Sequence, residues 1–185
     1  MQNAVGITAT ITANVSRPAD NTAYTAGDAV TSTATNADVT PLVFQVPRDS
    51  GRIMGCRAVV TPASGNLVIT ALDFDLLLFR PATDIPFAAG SYIGDNKAMA
   101  ISAAAYRELV AVFRFSSSSW RNTLGAVTAG ITGYQSVALN SSRIMAPYNV
   151  QGLSHQLNGL IQILGAWTPT GVINRFDFAL DVDLD

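Results

Sequence analysis

The chain has 185 residues, of which 49% are hydrophobic and 13% are charged, and its formal net charge is −2 at pH 7. This length fits one domain and the hydrophobic share is ample for a core, so we predict a single domain over residues 1–185. The charged share is about half the usual one. The charge offers no basic stripe that would neutralise a phosphate backbone, so no nucleic-acid partner is expected.

The charged residues are themselves biased, because the sequence contains one lysine, Lys97, and one glutamate, Glu108. Lysine and glutamate suit exposed helix faces. Their near absence, beside abundant threonine, valine, isoleucine, alanine, glycine and serine, favours strands and turns. We therefore predict an all-β chain.

The single cysteine, Cys56, excludes an internal disulfide framework and a thiolate metal site. Cys56 alternates with Met54, Ala58 and Val60, a pattern that predicts one apolar face for all four side chains. Free cysteine in such surroundings is usually buried, and we predict an inert thiol in the core.

The N-terminal sequence lacks the basic region and the continuous apolar region of a signal peptide. No apolar run approaches the ~20 residues that are needed to cross a bilayer. We therefore expect a protein that is made in a cytoplasm and has no membrane partner.

The first half of the chain is dominated by strand patterns. Residues 4–16 alternate strictly between apolar and small or polar side chains, as in a half-buried strand. A long turn region follows at residues 17–28. Further strands are predicted at residues 29–36, 42–46, 51–61 and 66–79. Turn formers at residues 62–66 predict a hairpin between the last two, and the second of these is long enough to bend or split near Asp73.

The second half begins with the chief irregularity, residues 80–109, where proline and glycine predict a long loop and residues 101–109 predict one or two helical turns. Residues 116–122 are interpreted as an exposed turn. Strands are predicted at residues 109–115, 126–132, 134–140, 142–150, 157–168 and 175–185. About ten short strands with turn signals between them predict a single-domain β-sandwich, of jelly-roll topology, with one long irregular loop and at most a short helix.

Aspartates are the first candidates for chemistry. Asp73 and Asp75 share one face of a predicted strand, and four more carboxylates cluster at the C-terminus: Asp177, Asp181, Asp183 and Asp185. A glycosidase needs two carboxylates, and calcium takes several oxygen ligands. Two such sets could in principle meet across a cleft. Aspartate on the solvent side of an amphipathic strand explains both sets without chemistry.

The last predicted strand supports the second interpretation, because its alternation is regular to the final residue. Its apolar face is formed by Phe176, Phe178, Leu180, Val182 and Leu184. Carboxylates at every second position of a strand lie ~6–7 Å apart, too far to share an ion unaided. We predict a solvated strand face whose charges discourage edge-to-edge aggregation. No catalytic residue, metal or cofactor is predicted.

His155 is the only histidine and follows Ser154 directly. Neighbouring side chains of an extended segment point to opposite faces, so these two are poorly placed as a base and a nucleophile. We predict a surface or loop histidine.

Trp120 and Arg121 follow a run of serines in a polar segment. An exposed tryptophan–arginine pair is a common interface anchor, and we name these two as candidate partner-binding residues. Tryptophan also binds sugars, for which Tyr148 is a second candidate. Alternatively, Trp120 folds back onto the core.

Several short motifs resemble those of small structural proteins of tailed bacteriophages, in particular capsid decoration (cement) proteins. The motifs are SRPADNTAYTAGDAV (residues 16–30), GRIMGCRAVVT (51–61), FDLLLFRPAT (74–83), DNKAMA (95–100) and the C-terminal stretch from Leu157, with an aromatic-Thr-Pro turn. The resemblance covers nearly the whole chain except residues 116–150.

The resemblance implies a non-enzymatic virion protein of jelly-roll type on the capsid surface. It would bind the major capsid protein, stabilise the head and associate with further copies of itself, as a homotrimer. Alternatives are a tail, baseplate or head-fibre component, and a carbohydrate- or receptor-binding β-sandwich module. A carboxylate-based hydrolase is the last alternative.

Overall fold

The computed structural model describes residues 7–19, 21–32, 41–62, 72–81, 94–99, 101–119, 121–122, 133–138, 146–150, 155–169 and 174–184. In chain order the strands are β1 (Ile7–Ser16), β2 (Ala29–Val30), β3 (Leu42–Gln45), β4 (Ser50–Pro62), β5 (Phe74–Phe79), β6 (Leu109–Phe115), β7 (Arg121–Asn122), β8 (Gly133–Ala138), β9 (Ala146–Asn149), β10 (Gln156–Ile163) and β11 (Asn174–Leu184). A short helix, α1 (Ala103–Tyr106), and a 3-10 turn, Ser117–Ser119, complete the described elements.

The strands form two antiparallel sheets that pack face to face. The first sheet has six strands in the order β1-β11-β4-β8-β7, with β9 also paired to β4. The second has five strands in the order β2-β10-β5-β6, with β3 also paired to β10. The predicted all-β sandwich is therefore confirmed, and so is a short helix within residues 101–109; the jelly-roll topology stays a prediction. No helix in the described ranges is long and apolar enough to cross a membrane.

The core between the sheets follows from period-2 alternation. In β11, the five apolar side chains predicted to share a face are all buried: Phe176, Phe178, Leu180, Val182 and Leu184. Phe74 of β5 stacks on Phe115 of the neighbouring strand β6 with ring centroids 4.9 Å apart, and across the gap between the sheets it lies edge-on to Phe176 of β11 at 5.7 Å. Each such ring removes enough apolar surface from water to stabilise the fold by about 1.5–3 kcal/mol. The packing of the two sheets against each other thus depends on this aromatic layer.

The second sheet is covered on its outer face as well. Phe74, Leu76 and Leu78 of β5 point into the sandwich, whereas Leu77 and Phe79 point outward and are also buried. The outward pair belongs to a second apolar cluster, against which Met99, Ile101 and Leu109 pack. The segment around α1 therefore acts as a cover over β5 and β10.

The structure corrects the predicted face of Met54. The register between β4 and β11 shifts between Asp181 and Val182, so that Gly55 pairs with Asp181 and Ile53 with Val182. The bulge leaves Met54 as an extra residue, 41% exposed, while Ile53 takes the buried position. Cys56 is buried as predicted. Burial raises the pKa of its thiol far above the ordinary value, with a smaller contribution from the nearby Asp181 charge.

The predicted hairpin between residues 51–61 and 66–79 differs from the structure, because β4 and β5 belong to different sheets. The described part of the second strand, β5, begins after Asp73 and pairs with β10 and β6 in the other sheet. Residues 66–71 of the predicted strand lie outside the described residues, so the bend or split near Asp73 stays a prediction. The turn at residues 63–66, the strand predicted at 126–132 and most of the predicted long loop, residues 82–93, lie outside the described residues. The strand predicted at 29–36 is shorter than expected, since it ends at Val30.

β11 is not an edge strand. It pairs with β1 on one side and with β4 on the other. The prediction that its aspartates protect a sheet edge is therefore wrong, although their solvated face is confirmed: Asp177, Asp181 and Asp183 are partly exposed.

Gly51 of β4 occupies a position where the chain has no room for a side chain. A Cβ atom built there would lie 2.6 Å from the Asp183 carbonyl oxygen and 2.8 Å from the Tyr148 hydroxyl. We expect Gly51→Ala to reduce the free energy of unfolding in urea by about 1–3 kcal/mol, because either the backbone or the buried ring must move.

Gly165→Ala is the matched control, since a Cβ there meets nothing within 4 Å. Equal effects of the two substitutions would contradict the close packing of β4, β9 and β11 at Gly51.

Candidate functional site

Of the two residues predicted to bind a partner, the structure describes only Arg121, at the far end of the first sheet. Arg121 begins β7 and pairs through its backbone with Tyr134 of β8, so part of the predicted turn is a short edge strand. Trp120 lies outside the described residues. That this pair contacts a partner stays a prediction, and the structure places Arg121 at one edge of the six-stranded sheet.

The prediction of Tyr148 as an exposed sugar-binding residue is wrong. Its side chain is 3% exposed and belongs to the main core cluster. β9 turns the ring inward against Gly51 because Tyr148 pairs with that glycine in the β4 register. A ring in this position packs the interior of the sandwich and presents no face to a sugar.

The C-terminal aspartates point to the outer face of the first sheet, where they meet arginines. Asp181 accepts from Arg57 of β4 at 2.9 Å and from the Thr10 hydroxyl of β1 at 2.7 Å. Asp177 pairs with Arg175 at 2.8 Å. These contacts join three neighbouring strands by charge and hydrogen bonding, and they use the carboxylates that a metal would need.

An open depression of about 300 Å³ lies on the same outer face. It is lined by Thr12, Ala13, Asn14, Arg57, Val59, Arg175, Asp177, Phe178 and Ala179. Its polar groups come from β1, β4 and β11, and its charges are of both signs. Paired charges around a shallow surface are typical of the polar rim of a protein–protein contact.

Asp73 and Asp75 each have a structural partner. Asp73 accepts the backbone N–H of Ser117 at 2.6 Å and thereby holds the start of the 3-10 turn. Asp75 forms a two-pronged ion pair with Arg114 of β6, at 2.9 and 2.8 Å. Asp75 is only 6% exposed, so the prediction of a solvated side chain is wrong for it: the arginine lies over the carboxylate.

The two carboxylate sets do not face each other across a cleft. Asp75 alternates with core residues Phe74 and Leu76 and therefore lies on the outer face of the second sheet. Asp181 alternates with core residues Leu180 and Val182 and lies on the outer face of the first sheet. The sandwich core separates the two faces. Within the described ranges, no group of three or more His, Cys, Asp or Glu side chains could hold a metal ion.

His155 lies at the surface, as predicted, in a left-handed backbone conformation with φ of 50°. Its Nε2 atom lies 2.8 Å from Asp49 Oδ1. The His155 carbonyl oxygen accepts the N–H of Val46. The residue therefore links the end of β3 to the start of β10.

The most buried polar side chain among the described residues is that of Arg17, and its surroundings were not predicted from the sequence. Arg17 Nε donates to the Tyr24 hydroxyl at 2.9 Å, and that hydroxyl donates to Asp95 Oδ2 at 2.5 Å. Arg17 Nε lies 3.8 Å from the same carboxylate oxygen, and the two charged side chains are 0% and 2% exposed. The other carboxylate oxygen accepts the N–H of Thr31 at 2.9 Å. We call Arg17, Tyr24 and Asp95 the buried triad.

Trp167 completes the surroundings of the triad. Its ring stacks on Tyr24 with centroids 4.9 Å apart, and the two residues exchange backbone hydrogen bonds. The Arg17 guanidinium lies 5.6 Å from the Trp167 ring and 5.4 Å from the Tyr24 ring. Cation–π contacts of this kind are strongest where water is excluded.

The triad joins three of the sequence motifs on which the phage resemblance depends. Arg17 and Tyr24 belong to the motif at residues 16–30, Asp95 begins the DNKAMA motif, and Trp167 is the aromatic residue of the Thr-Pro turn. These segments are far apart in the chain and adjacent in space. A turn-rich sequence carries no periodicity that would have predicted this meeting. The motifs of the phage resemblance were the one feature of the sequence that singled out these segments.

We expect Asp95→Asn to reduce the free energy of unfolding by about 3–5 kcal/mol, because it removes the negative charge that faces the buried Arg17 guanidinium. The measurement is urea denaturation followed by tryptophan fluorescence. Asp177→Asn is the matched control, since it breaks a surface ion pair worth about 0–1 kcal/mol. A similar small effect at both positions would contradict a structural role for the triad.

The pKa of Tyr24 is raised far above its ordinary value, chiefly by burial and then by its hydrogen bond to the Asp95 carboxylate. The folded state therefore favours the protonated phenol. This contribution is fully present below pH ~10, the unfolded pKa, and is lost as the pH rises above it. We expect the stability advantage of the wild type over Tyr24→Phe to be constant near neutral pH and to narrow above that value. Urea titrations across this range measure it, and a pH-independent difference would refute the assignment.

No protein-family model matches this chain. No curated protein matches its sequence either.

Proposed function

We propose that the protein is a non-enzymatic virion component of a tailed bacteriophage, a capsid decoration protein that binds the outer capsid lattice and stabilises the head. Its principal partner would be the major capsid protein, and it would be synthesised in the host cytoplasm and reside on the capsid surface. The resemblance also implies self-association, as a homotrimer, without nucleic-acid or membrane partners.

The observation that carries the proposal is the meeting of the resemblance motifs in the buried triad. Segments that were singled out by their sequence alone contact one another through Arg17, Tyr24, Asp95 and Trp167. A common structural cause for their shared sequence supports a common fold with the phage proteins. The functional step from fold to capsid binding rests on the resemblance.

The positions of the carboxylates support a surface-presenting protein. Asp75 and Asp181 are engaged by Arg114 and Arg57, and Asp73 accepts a backbone N–H. The outer face of the first sheet offers mixed charges around a shallow depression. A decoration protein needs such faces, since it stabilises a shell by burying interface between capsomers, and several linked copies would gain avidity.

The test is incubation of the purified protein with capsids that lack it, taken from the phage whose genome encodes it. We expect co-sedimentation with the capsids and a higher temperature of genome release, because bound copies oppose the separation of capsomers. Capsids that neither bind the protein nor gain stability would refute the capsid role. A copy number in purified virions far below that of the major capsid protein would support the tail, baseplate or head-fibre alternative.

Trp120→Ala and Arg121→Ala locate the contact. If these residues anchor the interface, each substitution should weaken capsid binding by about 2 kcal/mol or more. Tyr106→Ala is the control, because it removes a 52% exposed aromatic side chain from α1, which precedes β6, whereas β7 follows it. Loss of glycan binding on Trp120→Ala, in a protein that ignores capsids, would instead support the carbohydrate-binding module.

A further inference from the structure

β1 forms one edge of the six-stranded sheet. All of its residues, Ile7 to Ser16, pair in unbroken register with β11, from Ile7 opposite Leu184 to Ser16 opposite Arg175. Among the described residues, β11 is the only strand that pairs with β1. Alternate N–H and C=O groups along the other side of β1 therefore point away from the sheet, as a ready template for another strand.

This edge lacks the features by which sheets usually avoid association. Residues 7–16, ITATITANVS, contain no charge, no proline and no glycine. The β1–β11 register has no shift that would twist the edge away. Natural edge strands are normally short, bulged or charged, so a long, straight, uncharged edge favours pairing with a further strand.

The side chains of β1 are also incompletely covered. On the inner face, Ala9, Ile11 and Ala13 pack against the core but remain only partly buried. On the outer face, Thr8, Thr10, Thr12 and Asn14 are exposed. A strand added to this edge would shield the apolar row and would meet a row of small hydrogen-bonding side chains on the other face.

The sequence of β1 indicates which strand fits. It reads nearly the same in both directions about Ile11: Thr10 corresponds to Thr12, Ala9 to Ala13, Thr8 to Asn14 and Ile7 to Val15. In an antiparallel pair about a twofold axis at Ile11, each residue lies opposite the residue that is equally far from Ile11 on its other side in the second copy, with both side chains on the same face. Two copies of β1 centred on Ile11 would therefore match apolar with apolar and threonine with threonine or asparagine throughout.

We propose that β1 is a self-association surface, at which two copies of this chain pair antiparallel through their β1 strands about a twofold axis at Ile11. The two six-stranded sheets become one continuous sheet across the dimer. The absence of charge in β1 means that no like charges meet at the axis. The inference does not depend on the capsid role, and a twofold dimer is a different assembly from the homotrimer that the resemblance implies.

The first test is disulfide trapping with Ile11→Cys. In the proposed pair, this position faces itself across the axis, with a Cα–Cα distance of about 4.5–5.5 Å, within the range that a disulfide requires. Mild oxidation should convert the variant to a covalent dimer. The native Cys56 is buried and should not cross-link.

Ala9→Cys is the matched control. It lies on the same face but opposite Ala13 of the second copy, so alone it should not cross-link, whereas Ala9→Cys combined with Ala13→Cys should. Equal cross-linking of Ile11→Cys and Ala9→Cys would refute the register.

Sedimentation equilibrium and substitutions that introduce charge test the interface without oxidation. Sedimentation equilibrium of the wild type should approach twice the chain mass of 19.4 kDa at high concentration. Thr10→Lys with Thr12→Lys should weaken dimerisation at least about tenfold, because like charges then lie directly opposite each other. The same positions changed to glutamate should do likewise, and mixing the two variants should restore the dimer.

Each variant's urea unfolding transition is compared with that of the wild type, so that misfolding is distinguished from lost association. A wild type that stays monomeric, or that forms a trimer insensitive to these substitutions, would overturn the proposal. Capsid binding by a monomer would overturn the self-association of β1 and leave the proposed function intact.

Discussion

The buried triad of Arg17, Tyr24 and Asp95 is the interaction on which the arrangement of the loops depends. Two opposite charges have been removed from water, which costs several kcal/mol per ion unless close partners replace the lost hydration. Here the phenol lies between them, accepting from the guanidinium and donating to the carboxylate. The backbone N–H of Thr31 donates to the carboxylate, and the faces of two aromatic rings lie against the guanidinium. Such a set is stable only when all of its members are present.

The triad positions the segment that covers the second sheet. Once Asp95 is held, the following residues exchange backbone hydrogen bonds with the strand region after Tyr24: Asn96 donates to Ala29, Ala29 to Lys97, and Met99 to Gly27. Met99 then packs on the outward side chains of β5 and β10. The hydrogen bonds of Asp95 thus help to cover the outer face of the second sheet. The side chains buried there are Leu77, Phe79 and Leu160. The polar and apolar parts of the fold are therefore coupled.

The other polar groups leave the surface available for contact. Asp181 and Asp75 are paired with arginines of neighbouring strands, and Asp177 is paired with Arg175 of its own strand, so these outer faces carry charges of both signs. The edge at β1 presents unused main-chain groups and no charge. A face with mixed charges and an edge open to strand addition are two separate means of binding, one through side chains and one through backbone. Both suit a protein that works by assembly, in keeping with the proposed capsid role.

Local patterns in the sequence sufficed for several of the strands and for most of the inward and outward faces that the structure describes. The alternation of β1 and β11, the helical turn before β6 and the burial of Cys56 each depend on residues that are close together in the chain. In the strands, period-2 spacing alone determines the face. The same reasoning failed at Met54, because a bulge against β11 changes the parity of β4. It failed at Tyr148 and Asp75, whose burial depends on which strand or arginine lies opposite.

The sequence by itself thus determined an all-β chain with amphipathic strands, and it pointed to the motifs that matter. Only the tertiary structure decided which strands share a sheet, that β11 is internal while β1 is an edge, and that three distant motifs meet around Arg17. The physical reason is that alternation reports the environment of one strand, whereas strand order and buried ion pairs are contacts between residues far apart in sequence. Those contacts form only when the chain closes on itself, and no local spacing encodes them.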